Sequence, residues 1–483
     1  MTGRRRLLPS SRRATAAALC TVVSASLATG CGALPGTSRG SGDGPIVVMT
    51  WAPEGSSATD MSDMPAMAQA YARWVNDTGG IHGRELKVIT CNERNDSVQA
   101  GRCAERAVAE GAVAVVGSYS QHARSFMAPL KVSGIPYIGG YGLSQEEFTS
   151  PVSYPVNGGL ATLLAGNGRQ LAAVCDRVSL VRPDTIAGDE LPDLLDAGLA
   201  AGRRPPATDI RAPEDASDYT RHARRALDGV GAGGDSGGDT AAEQDRGTTR
   251  TSTGPTGATT TATTATADGP GATGTTDTDA PDIADAPRGS RSSCVTAALG
   301  RRTNTFFDSF RRLQKGGATV RIASVLGSVR QSLVDSAGGR NSPLEGAYAT
   351  GWYPAADDPR WNEMNRVINR YAFQDDRIDP ADPGAQTTWI AYTVLRSVLL
   401  SLDEDDIDGA SVRRQLNRGH AVDTGGLTPP LRWGFNDKLA IDRYPRIVNA
   451  NVTYQVVRNG RLVAVREGFV DVGDTLADYS RRT

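Results

Sequence analysis

The sequence is poor in the groups that carry most enzyme chemistry. It has four histidines among 483 residues, scattered as His82, His122, His222 and His420. No Cys-x-x-Cys pair accompanies them, so a zinc site is not indicated. Lysine is equally scarce: Lys87, Lys131, Lys315 and Lys438, none after a glycine, which excludes a phosphate loop of the Walker type. Aromatics make up 6%, and the net charge is −2 with no basic stripe, so nucleic acid is not an expected partner. Beyond the first 30 residues no apolar run approaches the roughly 18 residues of a membrane span. Two motif matches fall in the wrong context. Gly36-Thr37-Ser38-Arg39-Gly40 has no strand before it, and Gly229, Gly231 and Gly234 follow a helical stretch. No cofactor, metal or catalytic constellation is expected, and the residues suit a binding protein better than an enzyme.

What is present begins with an export signal. Arg4, Arg5, Arg6, Arg12 and Arg13 form a basic start, Ala14 to Thr29 is a small-residue apolar stretch, and Gly30-Cys31 follow. Ala28-Thr29-Gly30-Cys31 resembles the cleavage box of a bacterial lipoprotein, with Ala28 where a branched residue is usual. That resemblance implies removal of residues 1–30 and a lipid on Cys31. Ordinary signal cleavage nearby is the alternative. Residues 31–44, rich in Gly and Ser, read as a tether. The expected location is extracytoplasmic, anchored to the membrane through Cys31.

With Cys20 and Cys31 assigned to signal and anchor, Cys91, Cys103, Cys175 and Cys294 remain. An even set in an exported chain suggests two disulfides, with three possible connectivities. Cys91 and Cys103 can meet locally across a short loop and the start of a helix. Cys175 and Cys294 each stand before an apolar strand-like run, and parallel neighbours would bring them together. Cys91–Cys103 and Cys175–Cys294 are the expected pairs.

The ordered part alternates strands and helices. Runs such as IVVMTW (46–51), ELKVITC (85–91), AVAVVG (112–117) and IPYIGG (135–140) are separated by helical stretches, which predicts parallel sheets built from βαβ units. The pattern restarts with RVSLV (177–181), CVTAAL (294–299), TVRIASV (319–325) and GAYATGW (346–352). Asn459-Gly460 between two alternating runs predicts a terminal hairpin. Residues 229–293 hold 16 Thr and 13 Gly, no aromatic, and only Val230 and Ile283 as large apolar residues. Such a segment reads as a disordered insertion. Without it and the signal, the length suits two lobes.

The segment WVNDTGGIHGREL, with GIPYIGG, GAYATGWYPAADDP and DTGGLTPPLRW, resembles the leucine/isoleucine/valine-binding family of ABC-transporter solute receptors. The resemblance covers nearly all of 45–470 outside the insertion. It implies the type I periplasmic-binding-protein fold: α/β, two doubly wound parallel-sheet lobes joined by a three-crossing hinge. The crossings are expected near 152–156, 353–358 and 428–433. Lobe one is then 45–155 with 354–428, and lobe two is 156–353 with 429–483. The implied partners are a small-molecule ligand, an ABC permease and the membrane through the lipid. A monomer is expected. A ligand-sensing lipoprotein without a transporter is the alternative.

The resemblance also implies ligand contacts. Ser118-Tyr119-Ser120-Gln121 matches a turn where a serine hydroxyl and backbone N–H groups hold a ligand carboxylate at a helix N-terminus. Tyr141 and Gly142 fall in the second contact loop, and Thr185 in the lobe-two loop VRPDTIAGDEL. Trp51, at a strand end, is a further candidate, either contact or packing. The family's acid for the ligand ammonium should lie near 324–326, where there is none. The expected ligand is therefore small and polar, amino-acid-like or a carboxylate, with an anionic end and no obligatory ammonium.

Overall fold

A strand buried on both faces needs apolar side chains at every position rather than every second one. β1 (Ile46–Ala52) meets that condition, with six of its seven residues buried. It is followed by α1 (Asp63–Asp77), β2 (Leu86–Asn92), α2 (Ser97–Ala109), β3 (Ala114–Val116), α3 (Ala123–Ser133), β4 (Tyr137–Ile138), α4 (Glu146–Thr149) and β5 (Ser153–Tyr154). The strands form a parallel sheet in the order β2-β1-β3-β4-β5. The strand order reverses between β1 and β3. In doubly wound sheets the crevice beyond the carboxyl ends of such a pair is the usual ligand position.

The computed structural model describes residues 44–56, 59–185, 188–233, 292–314, 320–325, 329–373 and 378–482. The signal, Cys31 and the tether up to residue 43 lie outside these, as do 234–291 of the expected insertion. The ends of that insertion are described, and they are built into the lobe. Val230 is buried, its carbonyl accepts a hydrogen bond from the Ser293 hydroxyl at 2.9 Å, and a strand begins at Ser292.

The second lobe repeats the first. α5 (Gly159–Val174), β6 (Cys175–Pro183), α6 (Leu191–Ala201), β7 (Thr208–Ala212), α7 (Thr220–Gly229), β8 (Ser292–Ala297), α8 (Thr303–Leu313), β9 (Arg321–Val325), α9 (Gln331–Ser336) and β10 (Tyr348–Gly351) follow in turn. The parallel order is β7-β6-β8-β9-β10, with a second reversal between β6 and β8. β7 is absent from the sequence reading. Its alternating polar residues Thr208, Asp209 and Arg211 and its edge position leave no continuous apolar run to see.

The chain then returns to the first lobe through α10 (Asn362–Tyr371), α11 (Pro383–Leu400) and α12 (Gly409–Asn417). The apolar pattern predicts this helix over 387–402; α11 starts four residues earlier, because Asp382 caps it, accepting from the N–H groups of Gly384 and Ala385, with Pro383 at the first helical position. Tyr71 and Trp74 of α1 pack on Trp389 and Tyr392, and the Thr388 hydroxyl donates to Gly117 O at 3.1 Å. β11 (Asn451–Arg458) and β12 (Arg461–Ala464) form the antiparallel hairpin that Asn459-Gly460 predicts, both turn residues having positive φ. β13 (Val470–Asp471) pairs with β11, and α13 (Gly473–Arg482) packs on α6.

α5 is the shared core of the second lobe. Gly168 on it and Gly198 on α6 touch backbone to backbone; a Cβ on Gly168 would stand 2.2 Å from Leu195 O. Buried polar groups on α5 are fully paired: Asn167 with Thr296 and Thr350, Gln170 with Thr350 and Gln455 O. Where the segments cross between lobes, Trp433 Nε1 donates to Pro155 O at 3.1 Å, Asn449 to Val156 O at 3.1 Å, and Tyr353 joins Asn157 to Thr387. Both expected disulfides form, Cys91–Cys103 and Cys175–Cys294, with Cα separations of 5.8 and 5.9 Å. No helix of the described residues is long and apolar enough to cross a membrane.

Candidate ligand-binding site

The two strand-order reversals face each other across one cavity of about 800 Å³. Lobe one contributes Thr59–Met61 after β1, Tyr119 and Gln121–Ser125 after β3, and Tyr141 and Leu143–Glu146 after β4. Lobe two contributes Pro183 and Thr185 after β6, Glu214 after β7, Ala298–Gly300 after β8 and Val325 at the end of β9. These are the carboxyl ends of parallel strands, where loops are free to vary while the sheet fixes their roots.

Four of the expected contact residues line the cavity: Tyr119, Gln121, Tyr141 and Thr185. The Tyr119 and Tyr141 rings lie 5.1 Å apart, and Tyr141 meets Trp352 at 5.2 Å in an edge contact, so an aromatic chain runs from one lobe to the other. Gln121 Nε2 reaches Thr59 Oγ1 and the Tyr119 hydroxyl, both at 3.5 Å. Thr185 Oγ1 accepts from the Gly188 N–H at 3.2 Å. Trp352 and Tyr353 are fully buried behind the cavity.

The other four are not in the lining, and each has a structural occupation. Trp51 is buried between Phe126 and Tyr137, with ring centroids at 5.1 and 6.0 Å. Ser118 Oγ accepts the Trp51 N–H at 3.1 Å. Ser120, buried, donates its hydroxyl to Glu93 Oε2 at 3.0 Å and accepts the His122 N–H at 3.0 Å. Gly142 has φ +83°, and a Cβ there would lie 2.6 Å from Gly159 Cα; its N–H points inward to Glu147. These four are engaged in packing and turn hydrogen bonds and do not line the cavity.

Two internal glutamates explain the change. Glu93, just after β2, is wholly buried under the 118–122 turn and accepts from the Ser120 hydroxyl and the Asn95 N–H. Glu147 is buried beneath the 141–144 turn. It accepts the N–H groups of Gly142 at 3.1 Å, Leu143 at 2.9 Å and Ser144 at 3.2 Å. Burial pushes the Glu147 carboxyl up from 4.5 to about 7, against the pull of those three donors. Burial raises Glu93 too, opposed mainly by Ser120. The Ser120 hydroxyl, expected on a ligand carboxylate, thus holds one of the protein's own, and so do the N–H groups of 142–144.

The remaining polar lining was not among the expected contacts. Arg124 pairs with Glu146 at 2.6 Å. Arg330, from lobe two, reaches Asp382 at the cap of α11 in lobe one at 2.8 Å, so one ion pair spans the cleft wall. Burial raises the Asp382 carboxyl, opposed first by Arg330 and then by its two capped N–H groups. Glu190 accepts from the Tyr444 and Tyr479 hydroxyls and pairs with Arg443 at 2.9 Å. Ser324, where an acid was sought, is buried, and its hydroxyl is spent on the Ala297 and Val325 carbonyls. Among the described residues no group of three or more His, Cys, Asp or Glu side chains is placed to hold a metal.

Comparison with known proteins agrees with this architecture. The profile of the periplasmic binding protein family matches residues 47–445. Solved structures share the fold at low identity. A branched-chain amino acid ABC transporter protein from Thermus thermophilus with bound valine superposes with a TM-score of 0.63 at 11% identity, covering 91% of this chain and 98% of that one. A solute-binding protein of an ABC transporter from Rhodopseudomonas palustris, in complex with 3,4-dihydroxybenzoic acid, gives 0.61 at 14%, covering 88% and 97%. A fatty acid ABC transporter substrate-binding protein from Thermomonospora curvata gives 0.61 at 10%, covering 92% and 97%. No curated protein matches the sequence. A profile match over most of the chain, on a backbone whose strand order reverses twice around one cleft, makes this chain a member of the periplasmic binding protein family, with the type I fold of two doubly wound lobes.

Proposed function

We propose that this protein is the solute receptor of an ABC importer, held outside the cytoplasmic membrane by a lipid on Cys31 and acting as a monomer. One lobe is 45–155 with 354–428 and the other 156–353 with 429–483, the crossings serving as hinge. The observation that carries the reading is the cavity of about 800 Å³ between the two strand-order reversals. Ligand binds against the Tyr119 and Tyr141 rings and draws the lobes together, with the Arg330–Asp382 pair among the contacts that bridge the closed cleft. An amino-acid-like ligand remains compatible with this cavity. A carboxylate held by Ser120 and by the N–H groups of 142–144 does not, since Glu93 and Glu147 fill those positions.

Mass spectrometry of small molecules released from the purified, heat-denatured protein tests the reading, together with scattering that follows compaction when the released ligand is returned. A tightly bound small molecule that compacts the protein supports it; the absence of any ligand-driven compaction refutes it. Stimulation of a reconstituted permease by the loaded receptor supports importer delivery, and loading without stimulation favours the sensing alternative. Cys31→Ala should release the protein into the medium.

A further inference from the structure

The cavity is long as well as large. In lobe two its lining comes from the ends of four strands in the order β7-β6-β8-β9, which spans roughly 14 Å at about 4.8 Å between neighbours. In lobe one the ends of β1, β3 and β4 span roughly 10 Å by the same spacing. The volume of about 800 Å³ equals the share of roughly 27 waters at about 30 Å³ each, within the range of sites that take drug-sized molecules. This is not the gap of a fully opened pair of lobes. Arg330 already meets Asp382 at 2.8 Å across the wall, and the Ser332 hydroxyl of α9 donates to Asp379 Oδ2 at 2.7 Å. Just beyond the first crossing the Leu160 N–H meets Gly142 O at 2.9 Å. A free amino acid, one residue of chain at about 3.5 Å, covers only part of the longer axis.

The lining is apolar on both sides. Lobe one supplies Met61 and Leu143, and lobe two supplies Leu160, Leu191, Leu299 and Val325. Much of the polar lining is answered within the protein. Glu146, Asp382 and Glu190 each meet an arginine, and the Gln121 amide reaches the Thr59 and Tyr119 hydroxyls. Resting on the receptor reading above, we infer that the ligand is an elongated amphipathic molecule of drug size, mainly hydrocarbon or aromatic, that lies along the cleft and fills it where a free amino acid does not. Its affinity comes from apolar area, and so it grows with length. The Tyr119 and Tyr141 rings, 5.1 Å apart, add flat surface to the same wall. Because both lobes supply apolar side chains, the ligand body is covered on two sides only when the lobes are together. That gives the closed form the differential contact a two-state receptor needs.

Two neutral series read the length dependence: butanamide, hexanamide and decanamide; and benzamide with biphenyl-4-carboxamide. Leucine and valine serve as the short zwitterions. Calorimetry on the full soluble chain, freed of co-purified ligand, should find affinity rising about three- to fourfold per added methylene up to decanamide. Biphenyl-4-carboxamide should bind at least about tenfold more tightly than benzamide. A stronger alkyl series identifies a hydrocarbon ligand and a stronger aromatic series an aromatic one; both support the inference. Ala298→Phe adds a ring to the lining from the loop after β8, where Ala298 is half-buried. It should weaken decanamide and biphenyl-4-carboxamide by about tenfold or more through lost space, and butanamide far less, with unchanged melting temperature. Affinity that does not grow with length, tighter binding of leucine or valine than of decanamide, equal decanamide affinity in Ala298→Phe, or no binding by any probe overturns the inference. Failure of the receptor reading is distinct: it shows as the absence of any co-purified ligand and of ligand-driven compaction.

Discussion

Glu147→Gln should flatten the dependence of stability on pH. In the folded protein the Glu147 carboxyl is raised from 4.5 to about 7, and the cause is burial. An acid whose folded value lies above its unfolded one holds its proton longer in the native state. Its contribution to stability is therefore complete below the unfolded value and is lost as pH rises through the folded one. At about 1.4 kcal/mol per pH unit of displacement, this one group should make the native protein roughly 2–3 kcal/mol less stable near pH 8 than near pH 5. Glutamine keeps the shape and one acceptor for the N–H groups of Gly142, Leu143 and Ser144, but has no proton to lose. Urea unfolding of the wild type and the variant at the two pH values isolates the term, because the other buried acids titrate in both. The wild type should lose roughly 2–3 kcal/mol more than the variant on going from the lower to the higher pH. Equal losses in the two proteins would refute the argument, since they would place the folded carboxyl in its ordinary range.

Ser120→Ala should destabilise the fold by about 1–3 kcal/mol in chemical denaturation, because buried Glu93 loses a donor, while ligand affinity by calorimetry stays nearly unchanged. Reduction of Cys175–Cys294, which spans 119 residues, should cost about 5 kcal/mol, against about 3 for Cys91–Cys103 spanning 12; unfolding of Cys-to-Ser pairs reads the order. Excision of 234–291 should leave melting and binding intact, whereas extending the cut to 230–292 should lower the melting temperature, because Val230 is in the core and Ser292 begins β8. Arg330→Ala should weaken ligand binding by about 1–2 kcal/mol and expand the liganded form in solution scattering, since Asp382 loses its partner from the other lobe.

Much of the architecture is legible because buried parallel strands announce themselves. The IVVMTW and RVSLV runs and the Asn459-Gly460 turn mark elements whose local preference and tertiary setting agree. β7 is not legible, because an edge strand keeps polar residues on its open face. That omission hides Glu214, whose place in the cavity follows only once Thr208–Ala212 is known to be a strand ending at the cleft. Asp382 was within reach: Asp-Pro before an apolar helical run is a start signal, and starting α11 at Thr387 passes over it. The partner of Asp382 was not, since Arg330 lies 52 residues away on the other lobe.

Ser120 shows why a motif match does not carry its chemistry with it. A hydroxyl at the start of α3 is available to a ligand only while nothing in the protein competes for it. Glu93 competes from 27 residues upstream, brought there by the parallel register that sets β1 between β2 and β3. The same holds for the 141–144 turn, whose N–H groups form a nest for an anion that Glu147 supplies from the following helical turn. With the Ser120 hydroxyl taken by Glu93 and the 142–144 N–H groups taken by Glu147, the two turns offer the cleft their tyrosine rings.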